Sequence, residues 1–152
     1  MKVLLDTNVI MDVLMKREPH FDRSAAVLRK CGNGVTGCIA ASQSTDIFYL
    51  LRRGRSSVAE ATAVIKKLAT NLKLIDVTSK IVVAALDSPI VDFEDALLVE
   101  CAKLAKVDYI VTRNTKDFIA STIPIIDPTD FMDKFFRMRS VTEVIINFEY
   151  VF

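Results

Sequence analysis

The sequence is short of histidine, of cysteine and of net charge, and each shortage removes a class of function. The lone histidine, His20, stands beside Pro19 in what reads as a surface loop. With no G-x-S-x-G elbow either, the chain has no serine or cysteine hydrolase triad to offer. Cys31, Cys38 and Cys101 are odd in number and lack metal-ligand spacing, so a reduced, cytosolic protein is expected rather than a disulfide framework or a zinc site. No apolar run approaches the ~20 residues that span a bilayer, so no membrane partner is expected. The opening MKVLLDTNVI carries an Asp inside its first apolar stretch and no small-residue cleavage site, and it reads as a buried strand rather than a signal peptide. A formal charge of +1 argues against coating nucleic acid by bulk electrostatics, so any such contact must come from local patches. Those patches are Lys16–Arg17, Arg52–Arg53–Arg55, Lys66–Lys67 and Arg113 with Lys116. Each can equally be a solvated helix end, and Arg52 and Arg53 suit a helix C-terminus for dipole reasons alone.

There is also no internal repeat, low-complexity tract or Gly/Ser/Pro linker. The 152 residues, half of them apolar, therefore read as one domain with a substantial core. Short β-branched or apolar runs alternate with helical periodicity, which predicts an α/β domain: a three-layer α/β/α sandwich on a mostly parallel sheet of four or five strands. The predicted strands are Lys2–Leu5, then residues 35–39, 72–77 and 109–112, with a short fifth at 123–126. Helices are expected from Asp6-Thr7-Asn8 to about Met15, over Phe21–Lys30, and from a cap at Ser42 to Arg53 with Gly54 terminating it. Ser57-x-x-Glu60 has capping-box spacing for a helix ending near Asn71. Thr78 or Ser79 opens another helix. Asp92-Phe93-Glu94-Asp95, after the break at Pro89, opens one that runs to about Lys106, and Asp127-Pro128 starts the last. The domain is assigned to residues 1–136. Residues 137–152 form a C-terminal extension, apolar and β-prone from Ser140, that the pattern does not place.

In an open α/β sheet, functional groups collect at the carboxyl ends of the strands. Asp6 stands there after strand one, Asp92 and Asp95 at a helix start, and Asn114 and Asp117 after strand four. Asp46 lies one turn into the helix after strand two. Right-handed crossovers would allow these groups to converge on one face. Converging carboxylates need a cation, and oxygen ligands without His or Cys select Mg²⁺ or Mn²⁺. Such an ion can acidify a water and offset charge growing on a phosphate. Simpler roles stay open beside this one. Asp6 can cap the next helix; Asp92 and Asp95 have the spacing of a cap and its partner, with Asp92 the better cap and Asp95 the better ligand; Asn114 and Asp117 are common turn residues. The facing of Asp46, beside Ile47 and Phe48, is open.

The segments LLDTNVI, DFEDALLVECA and YIVTRNTKDF, in that order, resemble the three signature segments of PIN-domain proteins, among them the VapC-like toxins of toxin–antitoxin pairs. The resemblance covers about Met1 to Phe136. It implies an α/β sandwich, Mg²⁺- or Mn²⁺-dependent endoribonuclease activity on RNA, frequent dimerisation and a possible antitoxin partner. Carried onto this chain, it assigns Asp6, Asp95 and Asp117 to the metal, with Asn114 and Asp46 in the catalytic group. Asp46 falls where the family generally has a Glu. Thr7, Asn8 and Thr112 would orient carboxylates and water, with Asp92 in support. Arg52, Arg53, Arg113 and Lys116 are the candidates for RNA contact.

Two other functions are weighed against this one. A phosphatase with an Asp nucleophile needs a second Asp two residues on, where this chain has Asn8. A PIN-like module that binds RNA or protein without cleaving is favoured only by Asp at position 46. The apolar run Ile47–Leu51 and the terminal residues 144–152 exceed what one core requires, so a homodimer is expected with the Ser42–Arg53 helix near its interface.

Overall fold

A computed structural model gives the fold, and residues 1–136 are described. The expectations placed on the C-terminal extension, including its part in a dimer, lie outside the described residues. The elements in chain order are β1 (Lys2–Leu5), α1 (Thr7–Leu14), α2 (Phe21–Lys30), β2 (Thr36–Ala40), α3 (Gln43–Arg53), α4 (Val58–Asn71), β3 (Lys73–Ile75), α5 (Ser79–Leu86), α6 (Phe93–Ala105), β4 (Tyr109–Val111), β5 (Ile125–Ile126) and α7 (Pro128–Phe136). A 3-10 turn, Thr115–Phe118, lies between β4 and β5.

All five strands are parallel, in the order β3-β2-β1-β4-β5. This is the expected α/β sandwich. The period of two along β1 sends Val3 and Leu5 to one face and Leu4 to the other, and two buried clusters form on the two faces of the sheet. The first gathers apolar residues of α1, α2, α3, α4 and α7, with Ile10, Ile47, Leu68 and Phe131 fully buried in it. The second gathers those of α5 and α6 with Phe118 of the 3-10 turn. No described helix is long and apolar enough to cross a membrane.

Several local signals act as the sequence suggests. Ser57 and Glu60 exchange both bonds of the capping box: Glu60 N donates to Ser57 Oγ at 3.2 Å, and Ser57 N donates to Glu60 Oε2 at 2.6 Å. Others are displaced. The second strand runs one residue later than expected, and β3 keeps only three of its six predicted residues. Ser42 does not cap α3: its backbone is already helical and its side chain makes no cap bond. Gln43, fully buried, satisfies this corner instead. Its Oε1 accepts from Ala40 N at 2.8 Å, and its Nε2 donates to Leu5 O at 2.9 Å and Thr7 Oγ1 at 3.1 Å. One side chain thus ties the ends of β1 and β2 to the start of α3. Gly54 ends α3 as expected but without a left-handed backbone, which falls to Arg55 (φ 74°). A Cβ at position 54 would crowd only the end of the flexible Met15 side chain, 2.9 Å from its Cε, which can move aside.

The apolar surplus expected of α3 is largely absorbed by the domain itself. Ile47 and Leu51 are buried and Phe48 and Leu50 pack against the same core, leaving Tyr49 exposed.

Candidate active site

Between β1 and β4 the strand order reverses direction, and such a switch point opens a crevice beyond the strand ends. Asp6 follows β1 and Thr112 follows β4. The backbone ladder continues past both, with Asp6 N donating to Val111 O and Thr112 N to Ile126 O, each at 3.0 Å. This continuation puts their side chains next to each other. Thr112 Oγ1 donates to Asp6 Oδ2 at 2.6 Å, and Asn8 Nδ2 donates to the same oxygen at 2.5 Å. Asn8 Nδ2 also donates to Thr112 Oγ1 at 3.1 Å, closing a triangle. Asp6 Oδ1 faces Asn8 N at 3.5 Å, so the residue caps α1 as well. Asp6 is nearly buried, and that burial raises its pKa against the lowering effect of the Thr112, Asn8 and Thr7 bonds and of the Arg113 charge. Both readings of Asp6 are compatible here: its cap geometry holds the carboxylate still.

The second acidic group comes from the start of α6. Asp92 Oδ1 accepts from Glu94 N at 2.8 Å and Asp95 N at 3.2 Å, so Asp92 is the helix cap. Fixing that first turn aims Glu94 and Asp95 at the crevice. Asp95 is pushed up to about 7, first by burial and then by the negative charges of Asp6, Asp92, Asp117 and Glu94. Glu94 is raised by burial and by Asp46, Asp6 and Asp92. Asp46, half-buried on α3, is raised by burial. These mutual influences define the cluster: Asp6, Asp95 and Asp117 from three distant segments, with Glu94 between them and Asp46. Asp46 is felt at Glu94, at the margin of the group. Glu94 is the member that sequence reasoning passed over, although it lies inside the DFED segment; its outward signal was only one more acid in a capping turn.

Asn114 precedes the 3-10 turn. Its N–H donates to Thr112 Oγ1 at 3.0 Å and its carbonyl accepts from Asp117 N at 3.0 Å. Thr112 therefore links Asp6 to the turn that carries Asp117. Asp95 and Asp117 line a groove of about 530 Å³ together with Lys116, Ile90, Val91 and Ile119. Val91 and Ile119 are almost fully exposed. The Thr7 hydroxyl accepts from Gln43, while its backbone N–H acts on the Asp6 carboxylate.

The basic candidates separate. Lys116 lines the groove, whereas Arg52 donates Nη1 to Ser56 O at 2.5 Å and closes the loop after α3. Arg53 follows Asp46 by seven residues, roughly 10 Å along the helix axis. Arg113 lies beside the site and is paired inward with Asp12.

The donor set is of hard oxygens only, and the crowded negative charge around Asp95 has no basic side chain among its influences. That chemistry fits a hard divalent cation such as Mg²⁺ or Mn²⁺. Among the described residues, no three carboxylates are already drawn to a common point at ligand distance. The group is close enough for strong repulsion and still open.

A parallel α/β sheet with a carboxylate cluster at its switch point defines the class of an acidic-site α/β protein. A family model described as PIN domain matches residues 2–116, and the chain belongs to the PIN-domain family. No curated protein matches it. Solved structures similar in fold include VapBC2 from Rickettsia felis bound to a DNA fragment from its promoter: 18% identity, 84% of this chain and 98% of that one, TM-score 0.65. VapBC-1 from nontypeable Haemophilus influenzae is similar at 19% identity, over 85% and 99% of the two chains, with TM-score 0.63. A toxin–antitoxin complex from Klebsiella pneumoniae matches at 18%, over 83% and 97%, with TM-score 0.62.

Proposed function

We propose that this chain is an endoribonuclease dependent on Mg²⁺ or Mn²⁺, of the kind paired with an antitoxin. The observation that carries the reading is the convergence of Asp6, Asp95 and Asp117, from separate segments, on one electrostatically coupled group beside an open groove. Asp6, Asp95 and Asp117 would hold the ion, with Glu94 and Asp46 alongside. Bound there, the ion would acidify a water and offset charge on the phosphate undergoing hydrolysis. The protein's own side chains do the rest. Thr112 and Asn8 fix the Asp6 carboxylate, Asp92 fixes the first turn of α6, and Lys116 offers the groove a cation for a neighbouring phosphate. The product pair would be a phosphate monoester and a free hydroxyl. Incubation of the purified chain with RNA should give fragments with Mg²⁺ or Mn²⁺ and none with chelator. Intact RNA in both arms would sink the nuclease reading and leave the non-cleaving RNA- or protein-binding module.

The toxin assignment rests on the fold neighbours, which are VapBC and toxin–antitoxin complexes. A small adjacent reading frame encoding a DNA-binding partner supports it; its absence removes the toxin role and leaves the chemistry standing. A homodimer is proposed on the exposed pair Val83 and Leu86, neighbours across one turn of α5, and on Tyr49 of α3. Light scattering should give about twice the 17.0 kDa chain mass, and a stable particle of 17.0 kDa would refute it.

A further inference from the structure

Beneath the acidic site lies a second charged group that the chemistry above does not use. Asp12 sits on α1 between core residues Met11 and Val13 and is fully buried. Ser24 of α2, also fully buried, donates its Oγ to Asp12 Oδ2 at 3.0 Å. Arg113, one residue past Thr112, reaches in to the same oxygen, with Nε 2.8 Å away. The contact is an ion pair at close range, not a directed hydrogen bond, and Asp12 Oδ1 accepts from no described residue. As a device for stability this is poor. The cost of taking two charges out of water can match their attraction, so a buried ion pair is weak evidence of a stabilising role.

What the arrangement does is fix an arginine. Its Nε is buried against Asp12 in the ion pair; the side chain is 24% exposed, and neither Nη group hydrogen-bonds to any described residue. The backbone is held too, with Arg113 N donating to Asn8 Oδ1 at 3.3 Å. Asn8 is the residue that grips Asp6, and the Arg113 charge is felt at Asp6. A guanidinium anchored on its Nε side and free on its Nη edge is pre-organised for an anion, because little side-chain freedom remains to be lost on binding.

We propose that Asp12 is a positioning residue: with Ser24 it holds Arg113 from inside the core, so that the free Nη edge grips a backbone phosphate of RNA next to the one cleaved. This rests on RNA as the substrate. It explains why position 12, inside an otherwise apolar helix face, carries a charge, and it adds a placed cation beside Lys116 in a chain of net charge +1.

The test is binding, measured on the full chain in chelator with a short fluorescein-labelled single-stranded RNA across a salt series. Arg113→Ala should weaken binding about tenfold and lower the salt slope by about 0.7, the share of one single-strand phosphate. Asp12→Asn should weaken it by about 3- to 10-fold, and the Asp12→Asn/Arg113→Ala double variant should bind no worse than Arg113→Ala alone. Arg113→Lys should bind as poorly as Arg113→Ala, since its ammonium pairs with Asp12 and leaves no free edge. If Asp12→Asn does not fold, Ser24→Ala replaces it, with an expected loss of about 2- to 3-fold that vanishes in the Arg113→Ala background. Four results overturn the proposal: a parent chain that does not bind the RNA, Arg113→Ala or Arg113→Lys binding like the parent, additive losses in the double variant, or Ser24→Ala without effect where it stands in. Cleavage plays no part in the readout. A chain that binds as described but never cuts RNA refutes the nuclease reading alone, and a chain that cuts RNA while these variants bind normally refutes this inference alone.

Discussion

Asp6→Asn should reduce metal-dependent RNA cleavage by on the order of 10³-fold or more while leaving the fold intact. The fold survives because asparagine keeps both local duties of the position. Its amide oxygen can accept from Thr112 Oγ1 and Asn8 Nδ2 as Oδ2 does now, and asparagine is as good an N-cap as aspartate. What disappears is the negative charge at the switch point, on the carboxylate that Thr112 grips at the end of β4. Asp95→Asn should fall to a similar level, because Asp95, already raised by burial, also faces the charges of Asp6, Asp92, Asp117 and Glu94 that a cation would offset. Asp92→Asn is the internal control. Asp92 spends its Oδ1 on the amides of Glu94 and Asp95, a task asparagine also performs, so the loss should be about tenfold or less. Single-turnover cleavage of a labelled RNA, beside circular dichroism of each variant, checks all three. Equal losses at Asp92 and Asp95 would make Asp92 part of the chemistry. Wild-type rates in Asp6→Asn and Asp95→Asn would remove the acidic cluster from the reaction.

The parts of the site that could be read from the sequence are those fixed by local grammar. An Asp closing a buried apolar strand must sit at a strand's carboxyl end, and an Asp-x-x-Asp after a proline break must sit at a helix start. Asp6, Asp92 and Asp95 therefore fell into place with β1 and α6. The capping box of Ser57 and Glu60 was legible for the same reason. Ser42 misled because capping depends on the backbone entering the helix in extended form, and here a turn through Ala41 and Ser42 enters already coiled. Gln43, Glu94 and Asp12 were not legible at all. Each acts across elements, Gln43 to Leu5, Glu94 beside Asp46, and Asp12 to Arg113, and sequence spacing carries no record of which face meets which. The shrinkage of β3 to three residues has a similar origin: its length is set by pairing with β2 over Cys38–Ala40, not by its own apolar run.

Without metal, the protein should become less stable as the pH rises from 5 to 8, the reverse of a protein held by salt-bridged carboxylates. The sign follows from Asp95. Its carboxyl is held up to about 7 in the folded chain against an ordinary 3.8, so the folded state binds the proton more tightly than the unfolded state does. The stability this supplies is complete below about 3.8 and is lost as the pH climbs through 7. Asp6, Asp46 and Glu94 are shifted in the same direction, chiefly by burial, and add to the trend. Glu60 is shifted the opposite way by its Ser57 bonds, but it is exposed and its window lies at lower pH. Taken alone, the Asp95 shift corresponds to ~4 kcal/mol; solvent screening at a partly exposed group leaves on the order of 1–2 kcal/mol. The thermal midpoint in chelator should therefore drop by roughly 3–6 °C between pH 5 and pH 8. Asp95→Asn should flatten most of that slope and melt higher than the parent at pH 8, since it removes a charge disfavoured by burial and by its acidic neighbours. Millimolar Mn²⁺ should restore the parent's midpoint at pH 8 and do little at pH 5, where protons already occupy the same oxygens. It should do little for Asp95→Asn at either pH. Differential scanning calorimetry of the two proteins at both pH values, with Mn²⁺ and with chelator, gives all eight midpoints. A parent midpoint that stays level or rises with pH in chelator would show that neither burial nor mutual repulsion holds these carboxyls up in the folded chain. An Mn²⁺ response equal at pH 5 and pH 8 would place the ion somewhere other than on them.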